Sequence, residues 1–177
     1  RAEEIHLCMA PEAESIITQM IKRCGDQYRV VRHKRNTRLT VERQPYSLKN
    51  DLKKGDALIV FSKKSVLALA AHLEGQGVQC SVIYGSLPPA TRREQVRRFL
   101  AKETDIVVST DAIGMGLNLP IRRIVFVETQ KFDGVSKRDL EPGEIKQIAG
   151  RAGRFGIYEE GFVAAIDHID LIEDGLG

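Results

Sequence analysis

From Ala57 onward, the sequence alternates short apolar runs with amphipathic segments. The run 57–61 (Ala-Leu-Ile-Val-Phe) is apolar throughout, as expected of a strand buried on both faces of a sheet. Further strands are predicted at 78–84, 105–109, 123–127 and 161–166. Helices are predicted at 65–75, 88–100 and 144–149. This alternation predicts an α/β fold with a mostly parallel sheet and helices on both faces.

The first 45 residues have a different pattern. Strands are predicted at 5–9 and 28–35, with a helix at 12–24 between them, and 45–55 is predicted to be a linker with a short helix. We therefore predict that residues 1–43 belong to a preceding domain, that 44–55 form a linker, and that 56–177 form the α/β domain. The chain begins with Arg1 rather than Met, so we expect further residues upstream.

Composition narrows the class of protein. Hydrophobic residues make up 42% of the chain and charged residues 29%, which is ordinary for a globular domain. No apolar run approaches the roughly 20 residues of a membrane span, and no signal peptide opens the chain, so no membrane partner is expected. The three cysteines are odd in number and lack metal-ligand spacing, so neither a disulfide framework nor a zinc site is expected.

The segment 147–154 holds the most specific pattern. In parallel sheets, ligands bind at the carboxyl ends of strands, so the connections that follow strands are candidate sites. Arg151 and Arg154 are three residues apart and would share one face of a helix. A guanidinium donates in a rigid fork that matches phosphate oxygens, and Gln147 one turn earlier could orient a water or a phosphate. The alternative is a glycine-rich helix end with surface arginines.

The loop 110–120 places polar groups directly after a predicted strand. Thr110 and Asp111 supply a hydroxyl and a carboxylate, and Gly114 and Gly116 can expose backbone N–H groups beside the Asn118 amide. It is not a dinucleotide fingerprint, because no third glycine follows at the required spacing. The alternative is a flexible connection.

Three further residues suit contacts with a phosphate backbone. They are Ser62, Lys63 and Arg92, which follow the first two predicted strands of the α/β domain. For each of these residues taken alone, the alternative is an ordinary solvated side chain with no ligand.

The segments VFSKK, VIYGSLPPATR, STDAIGMGLNLP and QIAGRAGRFG, in this order, resemble motifs IV, IVa, V and VI of the second RecA-like lobe of superfamily 2 helicases. Their combination is most similar to the suppressor-of-Var RNA helicases and their bacterial relatives. The resemblance is strong over 46–167. The opening EEIHLC and the helix after it also resemble the tail of that family's first lobe.

The resemblance implies a role for each matching residue. Arg154 would be the arginine finger on the γ-phosphate, Arg151 its neighbour on the phosphates, and Gln147 a residue near the attacking water. The implied nucleotide-lining residues are Gly114, Gly116 and Asn118. The implied nucleic-acid contacts are Ser62, Lys63, Arg92, Thr110 and Asp111.

Two elements of an ATP site do not occur in this sequence. There is no G-x-x-x-x-G-K-[ST] loop and no Asp-Glu-x-His run for magnesium. ATP and Mg²⁺ would therefore bind between this lobe and a first helicase lobe in cis, and we expect neither bound to this chain alone, which is predicted to be inactive.

The resemblance also implies substrate, partners and location. It implies an ATP-dependent RNA helicase that moves 3′-to-5′ along single-stranded RNA and acts with an exoribonuclease. It implies the cytoplasm if the protein is bacterial, and otherwise the mitochondrial matrix. The alternatives left open are a DNA helicase lobe of the same superfamily, a non-catalytic nucleic-acid-binding adaptor and a Rossmann-type small-molecule enzyme.

Overall fold

The computed structural model describes residues 2–32, 37–154 and 156–177, and the chain divides into two compact units, 1–35 and 36–177. In the first unit, a 3₁₀ turn at Pro11–Ala13 leads into helix α1, Glu14–Cys24, which ends at Gly25 in the left-handed conformation. The predicted helix at 12–24 therefore forms. The described part of this unit contains no strand, and its apolar side chains Ile5 and Leu7 are exposed.

The second unit is built on a parallel sheet of six strands in the order β1-β8-β5-β2-β4-β3. A two-stranded antiparallel hairpin, β6-β7, stands outside it. The strands of the sheet are β1 Arg38–Val41, β2 Asp56–Ile59, β3 Cys80–Ile83, β4 Ile106–Ser109, β5 Arg123–Phe126 and β8 Glu160–Ala165, and the hairpin is β6 Gln130–Phe132 with β7 Lys137–Asp139. The predicted parallel α/β fold is confirmed.

Helices cover both faces of the sheet. The helices of this unit are α2 Lys63–Gly75, α3 Pro89–Leu100, α4 Pro142–Ala149 and α5 Ile169–Leu176. Leu58 on β2 and Val60 directly after it pack with α2, whereas Ala57 and Ile59 pack with residues of α3, α4 and α5. This alternation explains the continuous apolar run at 57–61, because each face of the strand meets a separate hydrophobic cluster.

A buried ion-pair cluster lies where strands β2 and β5 begin. Arg123 donates to both carboxylate oxygens of Asp56, at 3.0 and 2.7 Å, and to Glu42 at 2.9 Å. The Tyr46 hydroxyl donates to Asp56 at 2.9 Å, and burial together with that carboxylate raises the pKa of Tyr46. Removing one partner of such a cluster would leave a buried charge uncompensated. The cluster fixes the segment 42–55 to the sheet.

Several predictions for the amino-terminal part are wrong. Residues 5–9 and 28–32 are not strands, because no described neighbour supplies a ladder of hydrogen bonds; residues 33–35 of the second prediction lie outside the described residues. The segment 45–55 contains a turn at 47–51 in place of a short helix. β1 was not predicted, and its parallel pairing with β8 places residues 38–43 with the second unit.

The hairpin and α5 were also not predicted. None of the helices among the described residues combines the length and apolar character needed to cross a membrane.

Candidate nucleotide and nucleic-acid site

The connection after β4 begins with a capped 3₁₀ turn, Asp111–Gly114. The Thr110 hydroxyl accepts a hydrogen bond from the Ala112 N–H at 3.2 Å, and the residue is only 7% exposed. The hydroxyl predicted to contact nucleic acid therefore also stabilises this turn. The Thr110 N–H donates to the Ile83 carbonyl at 3.1 Å, which places the turn beside the end of β3.

Helix α4 packs closely against this 3₁₀ turn at Gly114. A Cβ atom on Gly114 would lie 3.1 Å from Cγ of Gln147, so a side chain there would crowd the glutamine. Gly116 adopts φ +68°, and no atom lies within 4 Å of the position of its Cβ, so this glycine serves backbone conformation rather than packing. Gln147 is exposed on α4, next to the candidate nucleotide loop.

The prediction that Arg151 and Arg154 share a helix is wrong. Helix α4 ends at Ala149 with Gly150 as its C-cap. Beyond it the chain bends, because Ala152 forms an isolated bridge with Ile121 and Gly153 adopts φ +72°. The two arginines lie on an irregular segment outside the helix.

Both guanidinium groups nevertheless reach the same loop. Arg151 donates to the carbonyl oxygen of Gly114 and, at 3.4 Å, to that of Leu117. Arg154 donates to the carbonyl oxygen of Asn118 at 3.3 Å. In the described part of the chain, neither guanidinium forms an ion pair with a carboxylate. The structure thus brings together Gln147, both arginines and the loop 114–118.

The donor chemistry of this cluster fits a phosphate-bearing ligand. A guanidinium has five N–H donors, of which the contacts above use two in Arg151 and one in Arg154. The remaining donors and the lack of a described carboxylate partner leave positive charge for an anion. Within ranges 2–32, 37–154 and 156–177, no group of three or more His, Cys, Asp or Glu residues could hold a metal ion.

A second cluster forms where β2 and β3 end. Lys63 places its Nζ atom 5.5 Å from the centre of the Tyr84 ring, and Arg92 donates to the carbonyl oxygens of Tyr84 at 3.2 Å and Gly85 at 3.1 Å. The Ser62 hydroxyl caps α2 by accepting from the Ser65 N–H at 2.9 Å. Two of the predicted phosphate contacts, Lys63 and Arg92, therefore meet at Tyr84. Tyr84 was not among the residues predicted from the sequence.

A third cluster joins the hairpin to the turn at Asp111 and to helix α4. Lys131 on β6 lies 3.2 Å from the Asp111 carboxylate and 2.8 Å from that of Glu144 on α4. Arg138 on β7 donates to both oxygens of Glu144, at 2.9 and 3.0 Å. Hydrogen bonds from Arg138, together with the Glu141 N–H and Lys131, lower the pKa of Glu144 to about 2. Asp111, predicted to face nucleic acid, is thus already paired with a cation.

A cleft of about 380 Å³ lies beside the hairpin at the carboxyl ends of β2, β5 and β8. Its lining is mixed in charge and includes Phe61, Ser62, Glu128, Lys131, Phe132 and His168. Ser62 belongs both to this cleft and to the predicted nucleic-acid contacts.

Residues 40–156 match the family model described as the helicase conserved C-terminal domain. The chain belongs to this family. The match runs from β1 through the segment that carries Arg151 and Arg154, so it spans the three clusters of this helicase C-terminal domain.

Similar proteins are named as helicases. The chain is 44% identical to the mitochondrial ATP-dependent RNA helicase SUV3 of Candida albicans over 97% of its own length and 24% of that protein. It is 46% identical to the mitochondrial helicase DExH16 of Arabidopsis thaliana, over 87% of this chain and 28% of that protein. It is 39% identical to human mitochondrial SUPV3L1, over 96% of this chain and 23% of that protein. The chain thus spans about a quarter of the length of these relatives.

A solved structure has the same fold. The C-terminal domain of the DEAD-box protein Dbp5 superposes with a TM-score of 0.55 at 19% identity, covering 79% of this chain and 81% of that domain. At this identity the likeness concerns the fold alone, a RecA-like sheet with helices on both faces.

Proposed function

We propose that this chain is the second motor lobe of an ATP-dependent RNA helicase, and that it completes an ATP site shared with a first lobe outside the chain. Family membership and the names of the relatives support this proposal. Arg154 would act as the arginine finger, Arg151 would contact the phosphates, and Gln147 would orient the attacking water. Gly114, Gly116 and Asn118 would form the nucleotide-facing loop.

The observation that carries the proposal is the convergence of two arginines on one loop. Arg151 and Arg154 both contact backbone carbonyls between Gly114 and Asn118, and neither has a carboxylate partner in the described ranges. A structural arginine in a lobe interior is normally matched by a carboxylate, as Arg123 is by Asp56. Guanidinium groups that meet backbone carbonyls and, among the described residues, no carboxylate suit a phosphate brought by another lobe.

The nucleic-acid side of the proposal rests on the cluster at Tyr84. Lys63 and Arg92, with Ser62 and Thr110, would hold the phosphate backbone of a single strand, and Asp111 would lie towards that strand. Such contacts position a strand without reading its bases, so we expect little sequence preference. The affinity for single-stranded RNA should fall steeply with salt, because binding releases counterions.

Other parts of the proposal concern the whole protein. The tail of the first lobe, predicted at residues 1–43, would be confined to residues 1–35, because β1 pairs with β8. That first lobe would supply the phosphate loop and hold Mg²⁺. The relatives above are named mitochondrial, which favours the mitochondrial matrix over a bacterial cytoplasm. Partnership with an exoribonuclease stays a prediction from family resemblance.

The proposal is tested by measuring ATP turnover. The full-length protein should hydrolyse ATP faster when single-stranded RNA is added, and it should unwind RNA duplexes with a 3′ overhang. The 177-residue chain alone should show no turnover, since it lacks a phosphate-cradling loop. Robust turnover by the chain alone, lost in Arg154→Ala, would contradict a shared site. Unwinding of DNA duplexes but not of RNA duplexes would indicate a DNA helicase instead.

A further inference from the structure

The hairpin β6-β7 is tied to two elements that the proposed function assigns to different ligands. Its Lys131 bridges Asp111, on the nucleic-acid side, and Glu144, on the helix that carries Gln147. Gln147 in turn packs against Gly114 at the far end of the turn that begins with Asp111. These contacts form a closed ring through β6, α4 and the 3₁₀ turn Asp111–Gly114.

Glu144 is the most heavily used acceptor in this ring. Its carboxylate accepts hydrogen bonds from Lys131 at 2.8 Å, from Arg138 at 2.9 and 3.0 Å, and from the Glu141 N–H at 2.9 Å. The side chains of Lys131 and Glu144 are only 22% and 23% exposed, so their attraction is less screened than that of a surface pair. Asp111 is 40% exposed and remains open to a ligand.

We propose that Lys131 and Glu144 are positioning residues that hold the turn at Thr110–Asp111 and helix α4 in a fixed relation, so that RNA-stimulated ATP turnover depends on this ion pair. The inference rests on the proposed function. Lys131 already contacts the carboxylates of both Asp111 and Glu144, so a strand phosphate that approaches Lys131 beside Asp111 competes with both carboxylates for the ammonium group. Binding at one side of the turn therefore changes the forces on the helix that carries Gln147.

The hairpin supplies its own matched control. Arg138 contacts the same carboxylate as Lys131 and lies on the same hairpin, and the bonds that involve it do not reach Asp111. Loss of Arg138 removes a cation from Glu144 but leaves the bridge from Asp111 to α4. Glu144→Gln is a suitable second variant, because glutamine retains the acceptor for the Glu141 N–H and removes the charge.

The experiment measures ATP turnover of the full-length protein against RNA concentration. In Lys131→Met and in Glu144→Gln, we expect the maximal stimulation by saturating single-stranded RNA to fall about tenfold, within the usual range of coupling between sites. The double variant should lose no more than either single one. Arg138→Met should retain the stimulation.

Three results would overturn the inference. The first is full stimulation in both Lys131→Met and Glu144→Gln. The second is an equal loss in Arg138→Met, which would mean that only hairpin stability matters. The third is a raised half-saturating RNA concentration with unchanged maximal stimulation, which would make Lys131 a simple phosphate contact. Absence of RNA-stimulated turnover in the natural protein would instead refute the proposed function. Thermal unfolding midpoints show whether each variant folds.

Discussion

At the scale of single residues, Gly153 and Gly161 meet where the segment after α4 crosses β8. A Cβ atom on Gly161 would lie 2.6 Å from the carbonyl carbon of Ala152, and one on Gly153 would lie 2.6 Å from the Gly161 nitrogen. The backbone of β8 thus comes close to Gly153, and this contact sets where the segment with Arg151 and Arg154 runs.

Replacing Gly161 with alanine should therefore destabilise the domain. We expect the free energy of unfolding to fall by about 1–3 kcal/mol, because backbone atoms must move apart to admit the methyl group. Gly143 in the first turn of α4 is the control, since no atom lies within 4 Å of the position of its Cβ. Gly143→Ala should be neutral or slightly stabilising. Urea unfolding of the three proteins measures both effects, and equal stability of Gly161→Ala and the natural chain would contradict the packing described.

The charge of Glu144 should be visible in the pH dependence of stability. Hydrogen bonds from Arg138 and its neighbours lower the pKa of Glu144 from an ordinary 4.5 to about 2 in the folded chain. A carboxyl whose pKa is lowered by folding stabilises the fold above its unfolded pKa, and that contribution is lost as the pH falls through the folded value. The loss should therefore occur between pH 4.5 and about 2.

The measurement compares the natural chain with Glu144→Gln by denaturant unfolding at several pH values. The stability difference between them should be largest near neutral pH and should shrink as the pH falls below 4.5. Glu159→Gln, at an exposed carboxyl, serves as the control. A difference that stays constant from pH 7 to pH 2.5 would show that the ion pairs with Lys131 and Arg138 do not form.

At the scale of helices and strands, the sequence correctly predicted the elements that its hydrophobic pattern determines. The buried strands β2, β4 and β5 follow from continuous apolar runs, and α3 follows from its paired prolines. β1 was missed because Arg38-Leu39-Thr40-Val41 is short and half polar, and it becomes a strand only because β8 offers an open edge. Tertiary pairing decides such segments rather than local preference.

The placement of Arg151 and Arg154 on a helical face was mispredicted for a related reason. Gln147 to Arg154 has the spacing of such a face, but the helix ends at Ala149, as the predicted range 144–149 indicated. The bridge of Ala152 to Ile121 and the close approach of Gly153 to Gly161 involve residues distant in sequence, and no local pattern encodes them. The two arginines meet at the loop 114–118 instead of on a helical face.

The ion-pair network of the hairpin could not be predicted either. β6 and β7 carry mostly polar residues, so they give no strand periodicity. The spacing of Glu141 and Glu144 suggests a helix cap, but it does not reveal that Lys131 and Arg138 converge on the second carboxylate. The sequence pattern therefore gives no sign of the hairpin, which links Asp111 on the predicted nucleic-acid side to α4 on the predicted nucleotide side.

At the scale of the whole molecule, the proposed function makes this chain one lobe of a longer motor. The chain spans about a quarter of its relatives, and the family match covers residues 40–156. Arginines that act across a cleft complete the site only when two lobes close on ATP, which is how binding becomes linked to movement. The central claim is therefore that Arg154 serves catalysis rather than folding or RNA binding.

ATP turnover of full-length Arg154→Ala tests that claim most directly, with Arg43→Ala, an exposed arginine paired with Glu173, as the matched control. We expect RNA-stimulated turnover in Arg154→Ala to fall by about 10³-fold or more, as for other arginine fingers, while RNA affinity and the unfolding midpoint change little. Arg43→Ala should keep natural turnover. Turnover of Arg154→Ala within about tenfold of the natural protein would contradict the account.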